Sequence, residues 1–350
     1  MQRKTGIAVF AVILLVAVGA AVFLLRERKQ GPAPLVPIPQ KIRIGVQANA
    51  FSAMVLVAQG QGFFANQGLT VELVPYPSGK LALDGMLAGE VDMATTSEVP
   101  IVSKSFERTD FSVLCTLSYT DNGAWILARK DHGINQPTDL RGKRIATQKG
   151  SAPDFFIDLF LLHHLISKDE VKIVYLPAKE LPQALISGEI DAFAIRNPFI
   201  AEAKSVLGDQ AVEFFAPEIY RQTFNLVATK EFIQKAPEVQ VPIMKALVVT
   251  EEYIAKNKEG AIATTIKELG EKNGAEVRSD WPSFVFSLSF NQALINLMEE
   301  VAKWSIRNGA VASRTIPNYL NMMGPKALRA VKPDAVDLFW DGENSSQGGK

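Results

Sequence analysis

The side chains that could do chemistry in this chain are hydroxyls, amides and one guanidinium, and they cluster where apolar runs end. Thr95-Thr96-Ser97 closes one such run and could offer hydroxyls to an oxyanion, its plainer use being turn chemistry. Arg196-Asn197 closes another, Ala192 to Ile195. An arginine there suits bidentate recognition of a sulfonate or carboxylate, or a surface salt bridge with an acid such as Glu202. Gly150-Ser151-Ala152 precedes Pro153 and reads as a helix start, where glycine lets backbone approach a ligand and free amides favour an anion. Capping by Ser151 uses the same residues. In open α/β sheets ligands sit beyond the carboxyl ends of the strands. That rule adds Gln47 to Ser52, with Gln47 and Ser52 as its polar ends, and Ser78, Gly79, Ser118 and Tyr119. Asn225 and Phe224, on the connection that returns to the first lobe, could also line the cleft, Phe224 equally serving packing.

Reactive machinery is sparse. Asp92 and Asp191 invite comparison with a catalytic carboxylate pair, but they occupy matching places in two similar segments, which favours a local role bonding nearby amides. His163-His164 lack the i, i+4 spacing of a metal-binding pair, and His132 sits in a turn. Cys115 stands alone in the apolar run Phe111 to Leu117, which excludes an internal disulfide and a thiolate cluster and reads as a buried core residue. The phosphate-binding pattern G-x-x-x-x-G-K-[ST] does not occur. The expectation is a binding protein with no catalytic residue, metal site or cofactor.

The elements that must position these groups are built twice. Leu87-Ala88-Gly89-Glu90-Val91-Asp92-Met93-Ala94 and Ile186-Ser187-Gly188-Glu189-Ile190-Asp191-Ala192-Phe193 follow one pattern, 99 residues apart. In each, an apolar helix stops at a glycine able to take φ > 0 and a strand follows at once. Around the first copy stand a strand at Lys41 to Gln47, a helix at Ala53 to Gln59 and a strand at Val71 to Tyr76. Around the second stand a strand ending at Thr147, a helix from Gly150 to about Leu165 and a strand at Val171 to Leu176. That alternation predicts an α/β fold of two lobes, each a doubly wound, mostly parallel sheet. Ala124 to Arg129 and Thr223 to Ala228 read as the connections between lobes, and helical periodicity dominates after Lys230.

With 47% hydrophobic and 21% charged residues the chain can fill two cores, and its zero net charge argues against nucleic acid as a partner. Gly6 to Leu25 is free of charge and bracketed by Arg3-Lys4 and Arg26-Glu27-Arg28-Lys29. Such a length suits a membrane-spanning helix, with a cleaved signal peptide as the competing reading. Residues 1–29 are therefore expected to be an anchor or signal segment, 30–40, with four prolines, a spacer, and 341–350 a polar tail.

Gly62-Phe63-Phe64 with Gly68-Leu69-Thr70-Val71-Glu72, the two glycine-acid copies, Asp139 to Ile145 with Gly150-Ser151, and Pro198 come in one order and spacing across residues 41 to 230. In these the chain resembles the periplasmic solute-binding proteins of ABC importers, in the branch for aliphatic sulfonates, nitrate, bicarbonate or thiamine precursors. The resemblance implies a type II two-lobe periplasmic-binding-protein fold. Lobe one would comprise 41–123 and 227–340, lobe two 124–226, with a small-molecule ligand held in a cleft that closes by hinge motion. It also implies an extracytoplasmic place and, as partners, a permease with its ATPase subunit, the membrane being reached through the N-terminal helix. A membrane-anchored sensor and a binder of a thiamine-precursor heterocycle are the alternatives. Pyrimidine-forming enzymes that share the fold carry a cysteine-rich motif that this chain lacks. The departures are the apolar N-terminal segment, the absence of a lipid-attachment cysteine, and Arg196-Asn197 where relatives often place an aromatic before the proline.

Overall fold

Strand β1, Lys41–Gln47, turns its apolar residues inward and lies parallel to β2, Thr70–Tyr76, with helix α1, Ala53–Gly60, between them in sequence. The computed structural model describes residues 41–338. The chain goes on through α2 (Gly79–Leu87), β3 (Met93–Ser97), α3 (Glu98–Ser105) and β4 (Phe111–Thr120). A second series follows: β5 (Trp125–Arg129), β6 (Arg144–Thr147), α4 (Ala152–His163), β7 (Lys172–Tyr175), α5 (Leu181–Ser187), β8 (Ala192–Ile195), α6 (Phe199–Leu207) and β9 (Ala211–Phe214). Then come β10 (Gln222–Thr229), α7 (Lys230–Lys235), α8 (Gln240–Lys256), α9 (Lys258–Leu269) and α10 (Gly274–Asp280). The described chain ends with β11 (Phe284–Asn291), α11 (Gln292–Arg307), α12 (Lys326–Val331) and β12 (Val336–Asp337).

Two sheets result, ordered β12-β11-β4-β10-β3-β1-β2 and β7-β6-β8-β5-β9. The expectation of mostly parallel sheets needs correction. Pairing is parallel within β2-β1-β3, within β7-β6-β8 and between β11 and β12, and antiparallel at every other junction. The reason is connectivity. β4 carries the chain out of the larger sheet and β10 carries it back beside β4, and strands that leave and return side by side must run in opposite senses. The connecting segments foreseen at 124–129 and 223–228 are themselves strands, β5 and β10. β10 pairs with β3 and β4 along its length, so residues 222–226 join the larger sheet and the return crossing lies at 215–221.

The duplicated segment folds alike in both places. Gly89 and Gly188 take φ of 81° and 79°, the left-handed turn that lets each helix stop and each strand begin. Asp92 accepts Arg43 N at 2.8 Å and Arg43 Nη2 at 3.0 Å, while Asp191 accepts Arg144 N at 2.8 Å and Arg144 Nη2 at 2.7 Å. The same guanidinium reaches the turn glycine carbonyl in each copy, at 3.4 Å to Gly89 and 2.9 Å to Gly188. Each bracket pins a helix-ending turn to the first residues of a neighbouring strand.

The C-terminal helices pack on the larger sheet's layer, α8 against α1 and α11 against α3. The half built on the smaller sheet meets them at a polar cluster. Asp158 of α4 accepts Trp304 Nε1 at 2.6 Å and Asn308 Nδ2 at 2.8 Å, with Lys168 Nζ at 2.9 Å. The segments expected as anchor, spacer and tail lie outside the described residues. Among the described residues no helix is long and apolar enough to cross a membrane.

Candidate functional site

The two sheets face each other across a narrow crevice at the ends of β1, β3 and β8. Gln47, Ser78, Gly79 and Ser97 line it from the larger sheet's side, and Ser151, Ala152 and Arg196 from the smaller sheet's side. Its free volume is about 20 Å³, close to what one water molecule occupies. Helices α2, α3, α4 and α6 all start at this crevice, so the positive ends of four helix dipoles converge on it.

Gln47, 2% exposed, ends β1 and accepts the Gly79 amide at 3.0 Å on Oε1. Its Nε2, a donor, has no partner among the described residues. Gly79 packs closely on β3: a Cβ there would stand 3.0 Å from the Thr96 Cα. Ser78 caps α2, its hydroxyl accepting Leu81 N at 3.3 Å. Ser151 does not cap α4 with its side chain: the hydroxyl donates to the Gln148 carbonyl at 2.6 Å. Asp154 instead accepts the Gly150 amide at 2.9 Å. Burial raises the Asp154 carboxyl to about 6, against the pull of that amide.

Arg196 is the charge of the crevice. Its guanidinium carbon stands 4.9 Å from the centre of the Phe51 ring. Among the described residues it makes no hydrogen bond and no ion pair, so the bridge to Glu202 does not form. Burial lowers its pKa to about 10, opposed by Glu276 and Asp280 of α10, which act from beyond ion-pairing distance. A cation this poorly compensated, beside the Gln47 Nε2 donor and several helix N-termini, suits an oxyanion.

Other sequence candidates stand apart from the crevice lining. Ser52 and Thr95 bond to each other at 3.1 Å inside the core, and Thr95 also meets Gln47 N at 3.4 Å. Thr96 is buried behind Gly79, and the Thr96 and Ser118 hydroxyls have no partner among the described residues. Asn225 is consumed by Thr116 at 2.8 Å and Thr223 at 3.0 Å. Asn197 donates to Asp280 at 3.1 Å across the two halves. Gly150 shapes the turn with φ of 67°, and Tyr119 lines a separate cavity. Phe224 packs on Phe51 at 5.1 Å.

Sequence reasoning missed Gln148 and above all Glu98. This carboxylate is wholly buried at the first residue of α3 and accepts the Tyr220 hydroxyl, Thr223 N at 3.0 Å and Thr223 Oγ1 at 2.8 Å. Burial raises its pKa and these donors oppose the rise. It fastens the return connection to the larger half. The one signal in the sequence was an acid directly after Ser97, where a helix dipole favours negative charge.

Comparison with known proteins agrees with this architecture. The profile of the NMT1/THI5-like family matches residues 49–261. A Bacillus subtilis protein named for binding aliphatic sulfonates is 26% identical over 247 residues, covering 67% of this chain and 71% of its own. The crystal structure of the periplasmic aliphatic sulphonate binding protein SsuA from Escherichia coli superposes with a TM-score of 0.65 at 18% identity, over 79% of this chain and 95% of that one. The alkanesulfonate-binding protein SsuA from Xanthomonas axonopodis pv. citri, bound to MOPS, gives 0.66 at 19% identity, over 82% and 99%. The two structures share the fold: α/β, with two sheets, of the periplasmic-binding-protein kind.

Proposed function

The chain belongs to the NMT1/THI5-like family, and from that premise we propose that it is the extracytoplasmic solute-binding component of an ABC importer. Its ligand is a small organic anion of the aliphatic sulfonate kind, held in the crevice between the two sheets. The observation that carries the choice of ligand is Arg196, a half-buried guanidinium on the crevice wall with no carboxylate paired to it among the described residues. Gln47 Nε2 and the starts of α2 and α4 supply further donors for a sulfonate's oxygens. The names of the relatives support the same class.

Closure follows from size. A sulfonate needs more room than about 20 Å³, so the two halves must part to admit it and close again on it. A permease would then read the closed form, with energy for transport supplied by its ATPase subunit. Residues 6–25 would hold the binding domain at the membrane.

A thermal-shift panel of ethanesulfonate, nitrate, bicarbonate, carboxylates and neutral pyrimidines tests the reading. A ligand at 100 times its Kd should stabilise the fold by about 2.7 kcal/mol. Ethanesulfonate is expected to raise Tm in the wild type and not in Arg196→Ala. A shift given only by uncharged heterocycles would sink the anion assignment.

A further inference from the structure

A second cavity, of about 520 Å³, shares no lining residue with the crevice and lies between the two halves. Its size is within the roughly 300–1,000 Å³ of sites that enclose metabolite- or drug-sized ligands. One wall is apolar and contributed by three separate elements: Phe155 and Leu159 from α4, Ile219 from the return connection, and Leu294 and Leu297 from α11. Such a wall has no use for a small hydrophilic ion. It suits an aliphatic or aromatic body.

The charges at its rim are unequal. Arg221 is held by Asp121 at 2.7 and 2.9 Å and stacks on Tyr119 at 4.8 Å. Glu300 is paired with Lys303 at 2.6 Å. Arg307, at the end of α11, makes no hydrogen bond or ion pair among the described residues. The unspent charge at the mouth is therefore positive. Inside, the Asn291 side-chain Oδ1 accepts Leu294 N at 3.2 Å, and Ser289 offers a hydroxyl.

The geometry points to a second binding site, for an amphipathic organic anion: an apolar body between α4 and α11, and a sulfonate or carboxylate at Arg307. The walls come from both halves, so an occupant bridges them. Phe155 also meets the Trp304 ring at 5.3 Å, edge to face, and the Trp304 indole N–H donates to Asp158. Occupancy thus bears on the polar cluster that joins the halves. This inference does not rest on the crevice reading, because the cavity has its own walls and its own cation.

Isothermal titration of the full chain with 1-octanesulfonate, below its micellar concentration, tests it, with ethanesulfonate as the short-chain control. Octanesulfonate is expected to bind with its Kd unchanged in Arg196→Ala and at least tenfold weaker in Leu159→Glu and in Arg307→Glu. Arg307 is exposed, so Arg307→Glu should keep the wild-type Tm and remain informative should Leu159→Glu fail to fold. Saturating ethanesulfonate should not displace octanesulfonate. The site is refuted if octanesulfonate binding disappears in Arg196→Ala, or if Arg307→Glu leaves it unmoved.

Discussion

The opposite ends of the sheets' parallel strands handle arginine in opposite ways. Where β1 and β6 begin, Arg43 and Arg144 are each tied to a carboxylate and to the carbonyl of a turn glycine. Where β8 ends, Arg196 has an aromatic ring and no hydrogen-bonded partner among the described residues. A satisfied guanidinium holds a turn to a strand and contributes to folding. An unsatisfied one costs desolvation and recovers it only when something anionic arrives. The contrast separates structural charge from charge held for a ligand, within one residue type and one sheet architecture.

The largest effect that would test this contrast is expected at Asp191. Its carboxylate, 8% exposed, also takes His132 Nδ1 at 2.7 Å, so Asp191→Ala strands a guanidinium, an amide and an imidazole. A loss of about 3 kcal/mol is expected in urea unfolding. Burial works to raise the Asp191 carboxyl, but the Arg144 and His132 donors outweigh it and hold the group well below the carboxylate range. A depressed folded-state value stabilises the fold above the unfolded value, near about 4, and that stability drains as pH falls below it. Wild type should therefore lose more stability than Asp191→Asn between pH 5 and pH 3 (on the order of two units of acidification).

Arg196→Ala should behave in the reverse manner. Ethanesulfonate affinity is expected to fall about 100-fold, or about 2.7 kcal/mol, while stability without ligand stays level or rises by up to about 1 kcal/mol. Equal losses of stability in Arg196→Ala and Asp191→Ala would remove the distinction between the two strand ends. Asp92→Ala is a smaller version of the Asp191 change. Its bracket has no histidine and a longer bond to the glycine carbonyl, so about 1.5 kcal/mol is expected.

The brackets were legible in the sequence because they are local and repeated: a glycine that needs φ > 0, then an acid, in two copies. The crevice was legible in outline for a related reason. Strand ends and helix starts can be placed from periodicity, and Gln47, Ser78, Gly79, Ser97, Ser151, Ala152 and Arg196 were found that way. Which hydroxyl faces the crevice was not legible. Ser52, Thr95 and Asn225 sit at the right height yet turn inward to partners, and a one-residue change in register reverses a strand residue's side. Glu98 and Tyr220 meet across 122 residues of chain, a pairing that no local pattern announces. Sheet sense was hidden as well, because parallel order in β2-β1-β3 says nothing of how β4 and β10 cross between halves.

The finest test uses the two acids that sense Arg196 without pairing to it. Burial, with the charge of Asp280, raises the Glu276 carboxyl to about 7, against the pull of Arg196. Asp280 is also raised by burial, although Asn197 and Arg196 hold it back, and among the described residues Tyr220 also acts on the guanidinium. Above pH 7 an ionised Glu276 partly offsets the Arg196 charge; below it the carboxyl is neutral and the guanidinium stands less compensated. Anion affinity should therefore rise as pH drops from 8 to 6, by about threefold to fivefold, on the order of 1 kcal/mol for a partly screened charge. Glu276→Gln should show the higher affinity at both pH values and a flat profile between them. A wild-type profile that is already flat would mean that Glu276 does not bear on Arg196, leaving the strand-end contrast to rest on hydrogen bonding alone.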